Sequence, residues 1–372
     1  MQFTVSRKKF VQALSFVPSV IEKKTALPVL SHCLLKAAGD KVTIVGTDLD
    51  IVISEECRAQ TQIEGSLCVP GVLLHDIVKR LEGYDTLSFS HEDQLFLRCG
   101  RSEFRLSVLP AEQFPDVSQL PLTTIFNVNP AVLKKMIDEV RLCMIDDDQN
   151  VMLNSLFLHT TNESGDLYGV STDLHQLALS KISLEKKLDL QTGLVVGRKA
   201  ITEIRRLLLD DNAKQVTLGA SHARIQCDVV TDDLVIMFTA RLVDGIYPEY
   251  LKVVESMSET SIVFNRSVLQ SALERMIVVV DIMSKGIMLN FSNNLMTMTA
   301  VSVDSGSGKE ELEIKFDGDP FTIQVNAFYL LNMVKQIDTE QVEIHADNPH
   351  EAMHIKPFGL EYPHYMIMPL VE

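Results

Sequence analysis

A pattern that recurs three times limits what this chain can fold into. VPGVLLHDIVKRL runs from Val69 to Leu81, VGRKAITEIRRLL from Val196 to Leu208, and VNAFYLLNMVKQI from Val325 to Ile337. Each copy opens on a valine at the end of an apolar, strand-like run. Apolar side chains then fall at i, i+3 and i+7: Leu74, Ile77 and Leu81; Ile201, Ile204 and Leu208; Leu330, Met333 and Ile337. That spacing predicts a helix with one buried stripe. Off the stripe, one position is basic in all three copies: Lys79, Arg206 and Lys335. The copies start 127 and 129 residues apart in a chain of 372, so three similar modules stand in tandem.

A second helix belongs to each module. FTVSRKKFVQAL, FNVNPAVLKKMI and IVFNRSVLQSAL begin at Phe3, Phe126 and Ile262. Ser6, Asn129 and Asn265 align as expected N-caps, and Pro130 suits the first helical position. The buried stripes should be Phe10, Leu14 and Val17; Leu133, Ile137 and Val140; Leu269, Leu273 and Met276. Between and after the helices the pattern changes to short alternating runs, with turns at Gly39-Asp40, Asn162 to Gly165 and Ser292 to Asn294. The fold class is therefore α+β, with two helices and antiparallel sheets in each module. Proline-rich polar stretches set the expected boundaries at 1–122, 123–256 and 257–372.

The formal charge of −16 argues against a protein that holds nucleic acid by a generally basic surface, though not against one with a basic face. No secretory h-region follows the N-terminus, and no apolar run reaches membrane-spanning length. The six cysteines form no CxxC pair, which points to reduced, buried thiols in a cytoplasmic protein.

Catalytic motifs are weak. His350-Glu351-Ala352-Met353-His354 is a literal HExxH. That motif works on a helix, whereas here Pro349 and Pro357 bracket it and the context reads as two strands joined by an Asp-Asn-Pro turn. Asp146 to Asn150 lacks the glycine and final glutamate of a calcium loop. No nucleophile elbow, P-loop or dinucleotide fingerprint occurs, and no cofactor or metal is expected. What remains is a shared basic position on three equivalent helices, which suits a sequence-blind contact with a polyanion backbone.

The stretches TALPVLSHCLL, GTDLD, GRSEFRLSVLPAEQFPD, VSTDLHQLALS, VGRKAITEI, RLVDGIYPEY, VNAFYLL and YMIMPLVE, in that order, resemble the β sliding clamp family of bacterial DNA polymerase III over the whole chain. The resemblance implies the DNA-clamp fold and a homodimer whose two subunits join head to tail into a six-module ring around double-stranded DNA. The helices would line the hole. The ring would act as a non-catalytic processivity factor for the polymerase III catalytic subunit, the clamp loader and other proteins carrying clamp-binding peptides.

It further implies site residues. The DNA-facing set would be Lys24, Arg198 and Lys199, joined by Lys79, Arg206 and Lys335 from the repeat. The peptide pocket would use Leu153, Thr172, Leu174, His175, Gln176 and Leu177; Pro248, Lys252 and Val253; Asn326 and Tyr329; and Met368, Pro369 and Leu370. The dimer contact would join Arg101, Phe104 and Leu106 to Ile277, Val278, Glu310, Glu311 and Glu313. The family commonly has Gly-His-Arg-Leu where this chain has Leu174 to Leu177, which should narrow the groove and remove a positive charge. Glu103 stands where relatives often carry a basic residue. Two rival functions are a peptide-binding scaffold that does not hold DNA, and a zinc hydrolase using residues 350–354.

Overall fold

The computed structural model describes every residue except 23–25, 118–120, 148, 162–164, 185–186, 189, 191, 210–212, 305, 317 and 371–372. It divides into two compact units, one of residues 1–132 and 199–242, the other of residues 133–198 and 243–372.

In the first unit a nine-strand antiparallel path runs Thr124–Val128, Gln215–Ala220, Arg224–Val230, Leu234–Arg241, Ile51–Ile63, Gln2–Ser6, Thr86–His91, Leu95–Cys99, Ser102–Leu106. Strands His32–Ala38, Lys41–Thr47, Gly65–Pro70 and Leu109–Pro110 branch from it. The long strand Ile51–Ile63 is the joint. Its first half pairs with Leu234–Arg241 and its second with Gln2–Ser6. Strand alternation puts Ile51, Ile53, Cys57 and Ala59 on the buried face, and Glu55 with them. Helix Arg7–Leu14 packs on that face, and helix Gly71–Arg80 packs against Arg7–Leu14 and against strands His32–Ala38 and Gly65–Pro70.

In the second unit an eight-stranded sheet runs Leu194–Gly197, Ser155–Thr160, Leu167–Thr172, Gln176–Ile182, His364–Ile367, Met353–Pro357, Gln341–His345, Ser261–Asn265. A four-stranded sheet runs Gly306–Glu313, Leu295–Ser302, Gly286–Ser292, Phe321–Asn326. The hairpin at Ser292 turns through Asn293 and Asn294, both at positive φ, which asparagine tolerates. Of the other two expected turns, Gly39 lies at φ +59°, while 162–164 fall outside the described residues.

The chain is thus three tandem α+β modules. Each carries two principal helices: Arg7–Leu14 and Gly71–Arg80, Pro130–Val140 and Arg198–Leu207, Arg266–Met276 and Ala327–Gln336. Of the eighteen stripe residues only Ile77 is part-exposed. Asn265 and Asn129 cap their helices, accepting from Val268 N–H and from Ala131 and Val132 N–H. Ser6 does not cap by its side chain. There the backbone N–H of Arg7 donates to the Asp85 carbonyl at 2.8 Å, and its guanidinium to the Val78 and Lys79 carbonyls at 3.2 and 2.7 Å. Arg266 repeats the arrangement, with its N–H on Glu340 and its Nε on Thr339. In each case one arginine opens the first helix and bonds a carbonyl near the end of the second: Arg7 within its last turn, where cations are favoured, and Arg266 just past it.

All six cysteines are free and buried, and burial pushes the Cys57 thiol up to about 12. Among the described residues no helix is long and apolar enough to cross a membrane.

Candidate functional site

The groove is built from one tight turn and the strands beside it. In Thr172-Asp173-Leu174-His175-Gln176 the Thr172 hydroxyl donates to the Gln176 carbonyl at 2.7 Å and accepts from Leu174 N–H at 3.0 Å. Asp173 accepts from the N–H groups of His175 and Gln176. These bonds hold Leu174 at φ +73°, a left-handed conformation that costs a side-chain-bearing residue about 1–2 kcal/mol. The Leu174 side chain is consequently thrown outward, 60% exposed. Behind the turn, Leu177 pairs with Met366 across neighbouring strands. Tyr250 closes the far wall, with its hydroxyl 2.5 Å from His159 Nε2.

The result is a cavity of about 90 Å³. Seven of the expected pocket residues line it: Thr172, Leu174, Gln176, Leu177, Pro248, Val253 and Met368. Leu177 serves both as core and as groove wall, since it also packs with Val170, Tyr250 and Met366. The other expected residues are not among those lining it. Leu153 is buried core and Lys252 pairs with Glu249 at 3.1 Å. Asn326 caps helix Ala327–Gln336, and Tyr329 interacts with Asp173. His175 faces solvent, but its carbonyl accepts from Met368 N–H at 2.8 Å. Leu370 N–H donates to the Gln324 carbonyl at 2.8 Å, so the tail around Pro369 is pinned at two points. Glu249, Tyr250 and Met366 line the cavity without having been expected. Met366 was legible as the i−2 neighbour of Met368; for the other two the only signal was the segment they share with Pro248.

The basic residues are less free than the sequence suggests. Lys79 is exposed, and Lys335 pairs with Glu274 at 2.9 Å. Arg206 donates to the Ser15 carbonyl at 2.6 Å, lies 3.5 Å from Glu203 and stacks over Phe16 at 4.8 Å. Arg198 donates to the Met144 and Ile145 carbonyls, and Lys199 bonds Asp48. Lys24 lies outside the described residues.

Each unit ends one sheet on an open strand. Ser102–Leu106 carries Phe104 and Leu106, with Arg101 just before it. Glu103 is held between Arg98 at 2.8 Å and Arg105 at 3.2 Å, which keep its carboxyl below the usual range. Gly306–Glu313 carries Glu310, paired with Arg275 at 2.6 Å, and the exposed Glu311 and Glu313. Ile277 is part-exposed and Val278 76% exposed.

The HExxH does not form a metal site. His350 and Glu351 sit exposed in the turn, whereas His354 is buried on strand Met353–Pro357. Its Nδ1 lies 3.0 Å from His364 Nε2, and burial pulls His354 down to about 4 and His364 to about 3, so both rings are neutral. Among the described residues no group of three or more His, Cys, Asp or Glu is placed to hold a metal.

A tandem-repeat α+β chain with a side-chain-sized groove is the class these features define. Models of the DNA polymerase III beta subunit match residues 1–118 with the N-terminal domain, 127–249 with the central domain and 252–371 with the C-terminal domain. The chain is 33% identical to the beta sliding clamp of Caulobacter vibrioides over 378 residues, with both chains fully covered. The crystal structure of the Pseudomonas aeruginosa DNA polymerase III subunit beta superimposes with a TM-score of 0.93 at 29% identity, and that of Caulobacter crescentus pol III beta with 0.93 at 31%, again over all of each chain. The chain belongs to the DNA polymerase III beta subunit family. Its role is that of a DNA clamp in replication.

Proposed function

We propose that two copies join head to tail, strand Ser102–Leu106 of one against strand Gly306–Glu313 of the other, and close a ring around duplex DNA. The modules at 1–122, 123–256 and 257–372 are the repeating units, so the ring has six. The observation that carries this reading is the pair of open strands of opposite net charge, with Arg101, Glu103 and Arg105 at one and Lys309, Glu310, Glu311 and Glu313 on the other, where Lys309 pairs with Glu311 at 2.6 Å. Joining them would remove both exposed edges. Retention by enclosure also reconciles a −16 chain with DNA, because a ring needs no strong inner contact. Lys79, Lys335, Arg198, Lys199 and Lys24 then supply weak contacts that permit sliding, and Arg206 chiefly anchors its own helix. The groove at Leu177 and Met366 takes short peptides of the polymerase catalytic subunit and the clamp loader, an apolar anchor with polar fixing groups. Work in replication places the protein in the cytoplasm.

Loading onto nicked circular DNA by a bacterial clamp loader with ATP tests the ring. Protein should stay on the circle and run off once the circle is cut; equal retention on both forms would sink the enclosure. The groove has its own test. Leu174→Gly removes an exposed side chain from the groove mouth and relaxes the left-handed residue. Calorimetric titration should show peptide affinity rising about tenfold, roughly 1.4 kcal/mol; unchanged affinity would mean that Leu174 does not shape the site.

A further inference from the structure

The turn that builds the groove occurs twice. In Thr47-Asp48-Leu49-Asp50-Ile51 the Thr47 hydroxyl donates to the Ile51 carbonyl at 2.8 Å and accepts from Leu49 N–H at 3.0 Å. Asp48 accepts from Asp50 and Ile51 N–H, and Leu49 lies at φ +83°. Bond for bond this is the turn at Thr172. The surroundings repeat as well. Val45 and Val52 stand where Val170 and Leu177 stand, and Phe114 and Val117 occupy the places of Tyr247 and Tyr250 in the matching Phe-Pro-Asp and Tyr-Pro-Glu segments.

Beside this second turn lies a cavity of about 150 Å³, larger than the first. Its floor is the sheet face carrying Val52, Met237 and Thr239, since Val52 pairs with Thr239 and Ser54 with Met237. Val117 and Leu122 form its other wall. The volume is well under the roughly 300–1,000 Å³ of small-molecule sites, and suits one anchoring side chain.

Its charge differs from that of the first groove. Arg224 lines it, part-buried, with no side-chain hydrogen bond or ion pair among the described residues. The residue opposite on the neighbouring strand is Arg241, a second cation. The acids on this face are engaged: Asp50 lies 4.0 Å from Arg241, Glu56 pairs with Lys41 at 2.7 Å, and Asp228 accepts from Gln226 at 2.8 Å. A part-buried guanidinium without a counter-ion, at the rim of an apolar cavity, selects a carboxylate next to an aliphatic side chain.

We propose that this groove is a second peptide-docking site, which takes a short acidic segment of a partner protein with its aliphatic side chain in the cavity and its carboxylate on Arg224. One subunit then holds two peptide segments of different charge.

Methyl NMR of the full chain labelled at methionine separates the two grooves, because Met237 reports on one and Met366 and Met368 on the other. The probe is a hexapeptide with two leucines flanked by aspartates; its control replaces the aspartates by asparagines. Met237→Leu assigns the Met237 signal. The acidic probe should shift Met237 saturably below ~1 mM. Arg224→Glu should weaken that shift at least about tenfold, with Arg224→Gln intermediate, and the asparagine control should bind about tenfold more weakly. Shifts at Met366 and Met368 should not depend on Arg224, so failure here leaves the first groove standing. A Met237 signal that stays still, or moves equally in wild type and Arg224→Glu, overturns the proposal.

Discussion

Glu55→Leu should stabilise the chain at pH 7 by about 1–3 kcal/mol, the cost of burying a polar group that finds no hydrogen-bond partner. Glu55 is fully buried on strand Ile51–Ile63, and neither carboxylate oxygen has a hydrogen-bond partner among the described residues. Burial pushes its carboxyl well above the ordinary glutamate value, and the positive charge of Arg206 offsets this only in part. The sign follows from proton counting. Above the ordinary glutamate pKa the unfolded chain has released this proton while the folded chain keeps it. Stability from this group is therefore fully present in acid and declines as pH rises, by about 1.4 kcal/mol per unit, until the folded carboxyl itself ionises. Glu55→Gln should abolish the slope while leaving a polar group buried, so its gain should be the smaller. Urea unfolding of the three proteins between about pH 4.5 and pH 8 decides the matter. A less stable leucine variant, or an unchanged slope in the glutamine variant, would show that Glu55 is solvated or paired in solution.

A chain ending at Ile367 should bind clamp-directed peptides on the order of 100-fold more weakly, the loss expected when a groove loses a central wall. Met368 lines the cavity, and the tail is fixed by its N–H on His175 and by Leu370 N–H on Gln324. Truncation removes the wall and leaves two carbonyls to water. The strand His364–Ile367 remains, paired on both sides, so the sheet should survive. Fluorescence polarisation with a labelled peptide from a polymerase catalytic subunit measures the loss, and native mass spectrometry checks the dimer. Full-strength binding by the truncated chain would remove the tail from the site.

The helices were legible because their stripes must be buried: seventeen of eighteen named positions are. The HExxH was legible as a strand pair because Pro349 and Pro357 leave no room for a helix, and His345 indeed pairs with His354. The groove was half legible. Residues near in sequence, such as Thr172 and Leu177, were found through the resemblance, and Met366 could have been added from its i−2 relation to Met368, whereas Tyr250 enters through tertiary packing that no local pattern encodes. The surroundings of the basic helix positions were the least legible. A periodicity argument sees that Arg206 leaves the apolar stripe, but not that the Ser15 carbonyl and the Phe16 ring wait beside it. Glu55 was invisible for the same reason, as alternation along IVISEECRA places it inward without saying how deep the strand lies.

Strand Ile51–Ile63 has a consequence for ancestry. Its first half is bonded to Leu234–Arg241, almost two hundred residues away, and its second to Gln2–Ser6. A solenoid can gain or lose a unit, because each unit touches only its neighbours through a standard face. Here excising the middle repeat would strip the partner from half of this strand and expose a raw edge. Duplication could build such a chain once; afterwards the shared strand locks the copy number, and descendants can change loops and groove walls far more readily than they can change the count.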